Sequence, residues 1–112
     1  METSNIYLVY RTAGDKAEAR AIGRVLVESR LAACVNILEN MTSVYCWDGN
    51  LQEDHEVVLL AKTTESRFAA LKTKVIEIHS YDCPCILGFR ASDGFPPFLD
   101  WIREVVAPEA VC

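Results

Sequence analysis

The dipeptide Asp48-Gly49 lies between two long runs of strand-forming residues. Asp and Gly both tolerate positive φ, so the pair marks a tight hairpin turn. Before it, Cys34 to Trp47 reads as a long strand, with Val35, Ile37, Val44 and Tyr45 as good strand formers and an interruption near Glu39-Asn40. After it, a second strand runs from about Leu51 to Thr63. Its centre, Val57-Val58-Leu59-Leu60-Ala61, is apolar on both sides. Whatever this chain folds into must therefore be built around a long antiparallel hairpin.

The flanking segments alternate in type. Asn5 to Thr12 reads as a strand with both faces apolar, since Ile6, Leu8 and Tyr10 alternate with Tyr7 and Val9. Gly14 ends it. Asp15 with Glu18 three residues later has the form of a capping box, and a helix follows to about Arg30 with Ala19, Ile22, Val25 and Leu26 on one face. Beyond the hairpin, Thr64 is placed to cap a helix in which Phe68, Leu71, Val75 and Ile78 recur up to His79. Pro84 interrupts, Cys85 to Arg90 is a fourth strand, and Pro96-Pro97 opens a last helix. The order β-α-β-β-α-β plus a final helix predicts an α+β, ferredoxin-like antiparallel sheet with both main helices on one face. The other face would be bare, yet the first and third strands are apolar on both sides. The last helix can cover only part of it, so identical subunits are predicted to cover the rest.

Length and charge narrow the function. The 112 residues hold no linker and no repeat, which predicts a single domain over 1–112. Eleven Lys and Arg stand against 16 Asp and Glu, a net of −5, which argues against nucleic-acid and anionic-membrane partners. No apolar run approaches the roughly 20 residues of a membrane span. Met1-Glu2-Thr3-Ser4-Asn5 has no basic region and no long apolar stretch, which points to the cytoplasm. The five cysteines form no secreted disulfide framework and read as reduced thiols. There is no G-x-S-x-G, no phosphate-binding glycine loop and no H-E-x-x-H, and only two histidines, so the chain is not expected to be an enzyme.

Several side chains carry chemistry. Cys34 is a soft ligand suited to Cu(I) or Zn, or else a small buried hydrophobe. His79 ends the second helix, where it is either a capping group or, as the neutral imidazole, a ligand for Cu or Zn with Tyr81 and Asp82 as supporting groups. Cys83 and Cys85 flank Pro84 and would point the same way from an extended chain. In Glu53-Asp54-His55-Glu56, alternation puts Asp54 and Glu56 on one face, as paired carboxylates or a solvated strand end. Tyr45 and Trp47 share a face. With Lys62 and with Trp101 of the last helix they would line either a pocket for an anionic or planar ligand at a subunit boundary, or the subunit interface itself.

Five pieces in order resemble one family. Arg30-Leu31-Ala32-Ala33-Cys34-Val35-Asn36, Ser43-Val44-Tyr45-Cys46-Trp47-Asp48-Gly49, Glu56 followed by Lys62-Thr63-Thr64, His79-Ser80-Tyr81-Asp82-Cys83-Pro84, and Trp101-Ile102 with Phe98 in the place of a Tyr are similar to the motifs of the CutA divalent-cation tolerance family. The resemblance runs from about Asn5 to Val106. It implies a homotrimer of ferredoxin-like subunits with three sheets packed face to face. It also implies binding of divalent cations, copper among them; of the residues present, Cys34 and His79 are the expected metal ligands, for Cu(II) first and Zn second. Trimers of this kind are similar to the PII signalling proteins. That implies an alternative, a regulatory or scaffold trimer holding a small ligand or a partner protein in an inter-subunit cleft near Tyr45, Trp47, Glu56, Lys62, Tyr81, Asp82 and Trp101. Some members carry Cys where this chain has Arg11, a second His where it has Ile78, and Pro where it has Ser80.

Overall fold

The computed structural model describes residues 4–78 and 84–108. It contains β1 (Ile6–Ala13), α1 (Lys16–Glu28), β2 (Cys34–Trp47), β3 (Asn50–Thr64), α2 (Glu65–Ile78), β4 (Ile86–Arg90) and α3 (Pro96–Val105). The four strands form one sheet in the order β2-β3-β1-β4, with every neighbouring pair antiparallel. This is the split β-α-β order that the segment pattern predicts.

Local chemistry explains the elements. Trp47 pairs with Asn50, so Asp48 and Gly49 are the whole turn. Their φ values, 51° and 77°, are both left-handed, as the type I′ hairpin turn requires. At the start of α1 the Asp15 carboxylate accepts from the Glu18 N–H at 2.7 Å. Glu18 reaches back to the Gly14 N–H at 3.0 Å, one residue before the usual place in a capping box. The end of α1 has no glycine. Arg30 itself takes φ 58°, its N–H donates to the Val27 carbonyl, and the Leu31 N–H donates to the Leu26 carbonyl at 2.8 Å. This is a Schellman ending, and Arg67 of α2 donates twice to the Arg30 carbonyl across it.

Thr64 is not the free-standing cap that its position suggests. It ends β3, and the first amides of α2 are taken up by the entry to β1. Glu65 N–H donates to the Asn5 carbonyl at 2.8 Å, and Ser66 N–H donates to Ser4 Oγ at 3.4 Å. The long-range partner satisfies donors that a local side chain was expected to meet.

Both α1 and α2 pack on one face of the sheet. Val9, Ala13, Leu59 and Ala61 meet Ile22, Leu26, Leu71 and Val75 there, all buried. At about 1.5–3 kcal/mol for each large aliphatic side chain buried, this cluster is the main source of stability. Arg11 shares the helix-facing side of β1 by alternation and is 1% exposed, with Nη2 donating to the Thr12 carbonyl.

The opposite face is largely uncovered. Across one end of it, α3 places Ile102 and Val106 on Ile6 and Ala33. Beyond α3, Leu8 sits between Lys62 and Phe89, and Tyr10 sits between Leu60 and Leu87. Leu38, Leu87 and Phe89 remain 50%, 52% and 53% exposed on this side. The bare apolar face predicted from the two-sided strands is present.

The hairpin also outruns the helices. At ~3.3 Å per residue a 15-residue strand spans about 50 Å, whereas a 13-residue helix spans about 20 Å. The longest dimension of the molecule is 50 Å, against 26 and 22 Å for the others. The outer half of β2 and β3 is thus an exposed arm.

Candidate functional site

Between Leu38, opposite Val58, and Met41, opposite Glu56, β2 carries two residues where β3 carries one. This is a β-bulge, with Asn40 at φ 64°. It changes which residues face which way. Before the bulge the even positions of β2 share the bare face with the even positions of β3. After it, Met41, Ser43, Tyr45 and Trp47 do. Without the extra residue Tyr45 and Trp47 would point to the helix side.

The result is a surface cleft of about 1100 Å³ along the inner side of the arm. Tyr10, Met41, Tyr45, Trp47, Asp54 and Glu56 are its main walls, and Cys85 stands at one edge. Tyr45 Oη donates to the Asp54 carboxylate. Tyr10 Oη lies 3.6 Å from Met41 Sδ. Burial holds the Tyr10 phenol above its ordinary pKa, and the negative charge available to Cys85 and Glu56 adds to the effect. Among the described residues lining the cleft there is no Lys or Arg, and the carboxylates of Asp54 and Glu56 are its fixed charges.

The other candidate residues are dispersed. Cys34 begins β2 directly opposite Lys62, and the Lys62 ammonium donates to Asn36 Oδ1 on the same face. A cation at Cys34 would meet that positive charge within the same chain. Trp101 of α3 stacks on Phe98 with ring centroids 5.8 Å apart. It lies at the Lys62 end of the sheet, because α3 packs on Ala33, whose N–H donates to the Lys62 carbonyl. Trp47 is at the other end. Asn50, its partner, is twelve residues from Lys62 along β3, about 40 Å at ~3.3 Å per residue. One chain therefore does not bring Trp47, Lys62 and Trp101 into a common pocket. Any site they share has to be made between chains.

His79, Tyr81, Asp82 and Cys83 lie outside the described residues. Among the described residues no three His, Cys, Asp or Glu side chains gather to hold a metal ion. Arg11 is enclosed on the helix side of the sheet, away from the cleft. The participation of Tyr10 and Met41 in the cleft went unread in the sequence. Its one local signal was Asn40, a residue that tolerates left-handed backbone.

Comparison with known proteins agrees with this fold. The family model described as CutA1 divalent ion tolerance protein matches residues 7–105. A divalent-cation tolerance protein CutA of Thermus thermophilus is 44% identical over 97 residues, covering 87% of this chain and 94% of that protein. The crystal structure of CutA from Xylella fastidiosa superposes with a TM-score of 0.90 at 36% identity, covering 93% of this chain and 100% of that one. A CutA structure from Archaeoglobus fulgidus, described as a periplasmic divalent cation tolerance protein, superposes with a TM-score of 0.88 at 37% identity, covering 91% of this chain and 99% of that one. The fold is thus shared over nearly the whole chain, and the chain belongs to the CutA1 divalent ion tolerance family.

Proposed function

We propose that this chain works as a homotrimer that binds divalent cations, Cu(II) first among them and Zn(II) as the alternative, in metal tolerance or response, and that it acts by binding rather than by catalysis. The observation that carries the assembly is the uncovered sheet face, where Leu38, Leu87 and Phe89 are about half exposed beside Leu8, Tyr10 and Leu60. A contiguous apolar face of this kind is unfavourable in water, and identical copies packed sheet to sheet would remove it. Cys34 and His79 are the metal ligands in this reading, with carboxylates or partner-subunit groups completing the shell.

Native mass spectrometry of metal-free protein, with and without Cu(II), tests both parts. Trimers that take up a fixed integral number of ions, and fewer in a Cys34→Ser, His79→Ala variant, are the expected outcome. Monomers contradict the assembly. Trimers with no copper, or with a continuous spread of copies, contradict the metal site and favour a regulatory trimer whose ligand is a small molecule or a protein. We assign the chain to the cytoplasm. Cys34, Cys46 and Cys85 are in no disulfide, which fits a reducing compartment. Cell fractionation tests this, since recovery with periplasmic markers would reverse it.

A further inference from the structure

On the uncovered face β3 presents Glu56, Val58, Leu60 and Lys62 in turn, because its even positions share that side. The ends of this row are opposite charges about 20 Å apart at ~3.3 Å per residue, so they cannot meet within one chain. Between them Val58 and Leu60 stand beside Leu38 and Tyr10, in the apolar surface that the proposed assembly covers.

Neither charge is neutralised within the chain. Asp54 accepts from Tyr45 Oη, but Glu56 makes no ion pair among the described residues, and the cleft around it holds no Lys or Arg. The Lys62 ammonium donates to the neutral Asn36 side chain and makes no ion pair either. It is the one cationic group that the four strands place on this face. Arg11 lies on the helix side, and so does Arg90, which pairs with Tyr7. Arg103 of α3 is already held by Asp100 at 3.0 Å and by the Ser4 carbonyl at 2.9 Å. Covering the face with another copy brings both groups under protein, where a charge without a partner is strongly unfavourable. A three-fold ring is built from heterologous contacts, in which one surface of a chain meets a different surface of the next. The row on β3 has that property: its cationic end complements its acidic end, with apolar residues between.

We propose that in the homotrimer the Lys62 ammonium of each chain pairs with the Glu56 carboxylate of its neighbour, so that the next copy completes each cleft and the pair sets the head-to-tail order of the chains. This inference rests on the sheet-to-sheet assembly proposed above and names the complementary groups that orient it. The test is sedimentation equilibrium of the metal-free full chain, of Glu56→Lys, of Lys62→Glu and of the chain carrying both changes. Each single reversal should raise the concentration of half-dissociation about tenfold or more, and the double reversal should recover most of that loss. Glu56→Gln and Lys62→Met, which remove one charge without adding its opposite, should weaken the trimer less than the reversals do. They carry the test if a reversal fails to match the parent's far-ultraviolet circular dichroism spectrum. A parent that sediments as single chains at micromolar concentration overturns the assembly and the pair with it. A trimeric parent whose single variants associate as tightly as it does leaves the assembly standing and overturns the pair. So does a double reversal that associates no more tightly than the weaker single one.

Discussion

Leu38 and Met41 are three residues apart on β2, yet they stand on the same face of the sheet. The extra residue between them is what aims Tyr45 and Trp47 into the cleft, and Asn40 is the position whose backbone turns left-handed to make room for it. A β-branched side chain resists that conformation. Asn40→Val is expected to cost about 1–2 kcal/mol in chemical denaturation. Asn40→Gly should lie within about 0.5 kcal/mol of the parent, because glycine adopts the same φ without strain. Equal stability of the two variants would show that the bulge is not needed.

Gly88 pairs with Val9 on the helix side of the sheet, under the ring of Phe68. A Cβ there would lie 2.7 Å from two Phe68 ring carbons and 3.1 Å from Tyr7 Cδ2. The two rings already pack at 5.3 Å between centroids, so neither can withdraw easily. Gly88→Ala is expected to destabilise by about 1–3 kcal/mol. Combining it with Phe68→Leu should cost less than the sum of the two single changes, and strict additivity in the double-mutant cycle would refute the contact.

The fold was largely legible because its signals are local. Asp48-Gly49 specified the turn, Asp15 and Glu18 the start of α1, and the alternation along β1 and β3 the uncovered face. Where the reading fell short, the cause was long-range. The first amides of α2 bond to Asn5 and Ser4, more than fifty residues away, and no local pattern encodes that. The Arg30 helix end uses a non-glycine residue in left-handed backbone and leans on Arg67, so the usual glycine signal was missing. The grouping of Trp47, Lys62 and Trp101 at a subunit boundary was inferred from residue type alone, and strand register sets Trp47 and Lys62 about 40 Å apart at ~3.3 Å per residue within one chain, so only contacts between chains can bring them together. The pairing of Asp54 and Glu56 with Tyr45 and Trp47 was half legible: each pair's face followed from alternation, but their meeting depended on the bulge.

Tyr10 gives the structure a specific alkaline signature. Its phenol is held above its ordinary pKa by burial first, and by the charges of Cys85 and Glu56 second. The folded state therefore holds this proton more tightly than the unfolded chain does. The associated stability is present below the unfolded pKa and is lost as the pH rises through the folded value. Between about pH 9 and 11 the parent should lose stability more steeply than Tyr10→Phe. Parallel stability–pH curves for the two proteins would show that Tyr10 is not perturbed.

Leu87 and Phe89 occupy β4 beside Tyr10 and Leu8 on the uncovered face. In an isolated chain a glutamate at either position would be solvated at little cost, because both side chains are about half exposed. At a sheet-to-sheet contact the same charge would be buried without a partner. Leu87→Glu and Phe89→Glu should each preserve the far-ultraviolet circular dichroism spectrum while shifting the assembly to single chains. Retention of the parent's mass by both variants would place the subunit contact elsewhere.

The most direct test of the account is sedimentation equilibrium of the unmodified, metal-free protein over a wide concentration range. The proposed homotrimer, with the face of Leu38, Leu87 and Phe89 covered between subunits, predicts a mass three times the 12.5 kDa of one chain, holding through micromolar concentrations. A mass of 12.5 kDa at those concentrations would mean that the apolar face is stable in water, and it would contradict the assembly on which the proposed function rests.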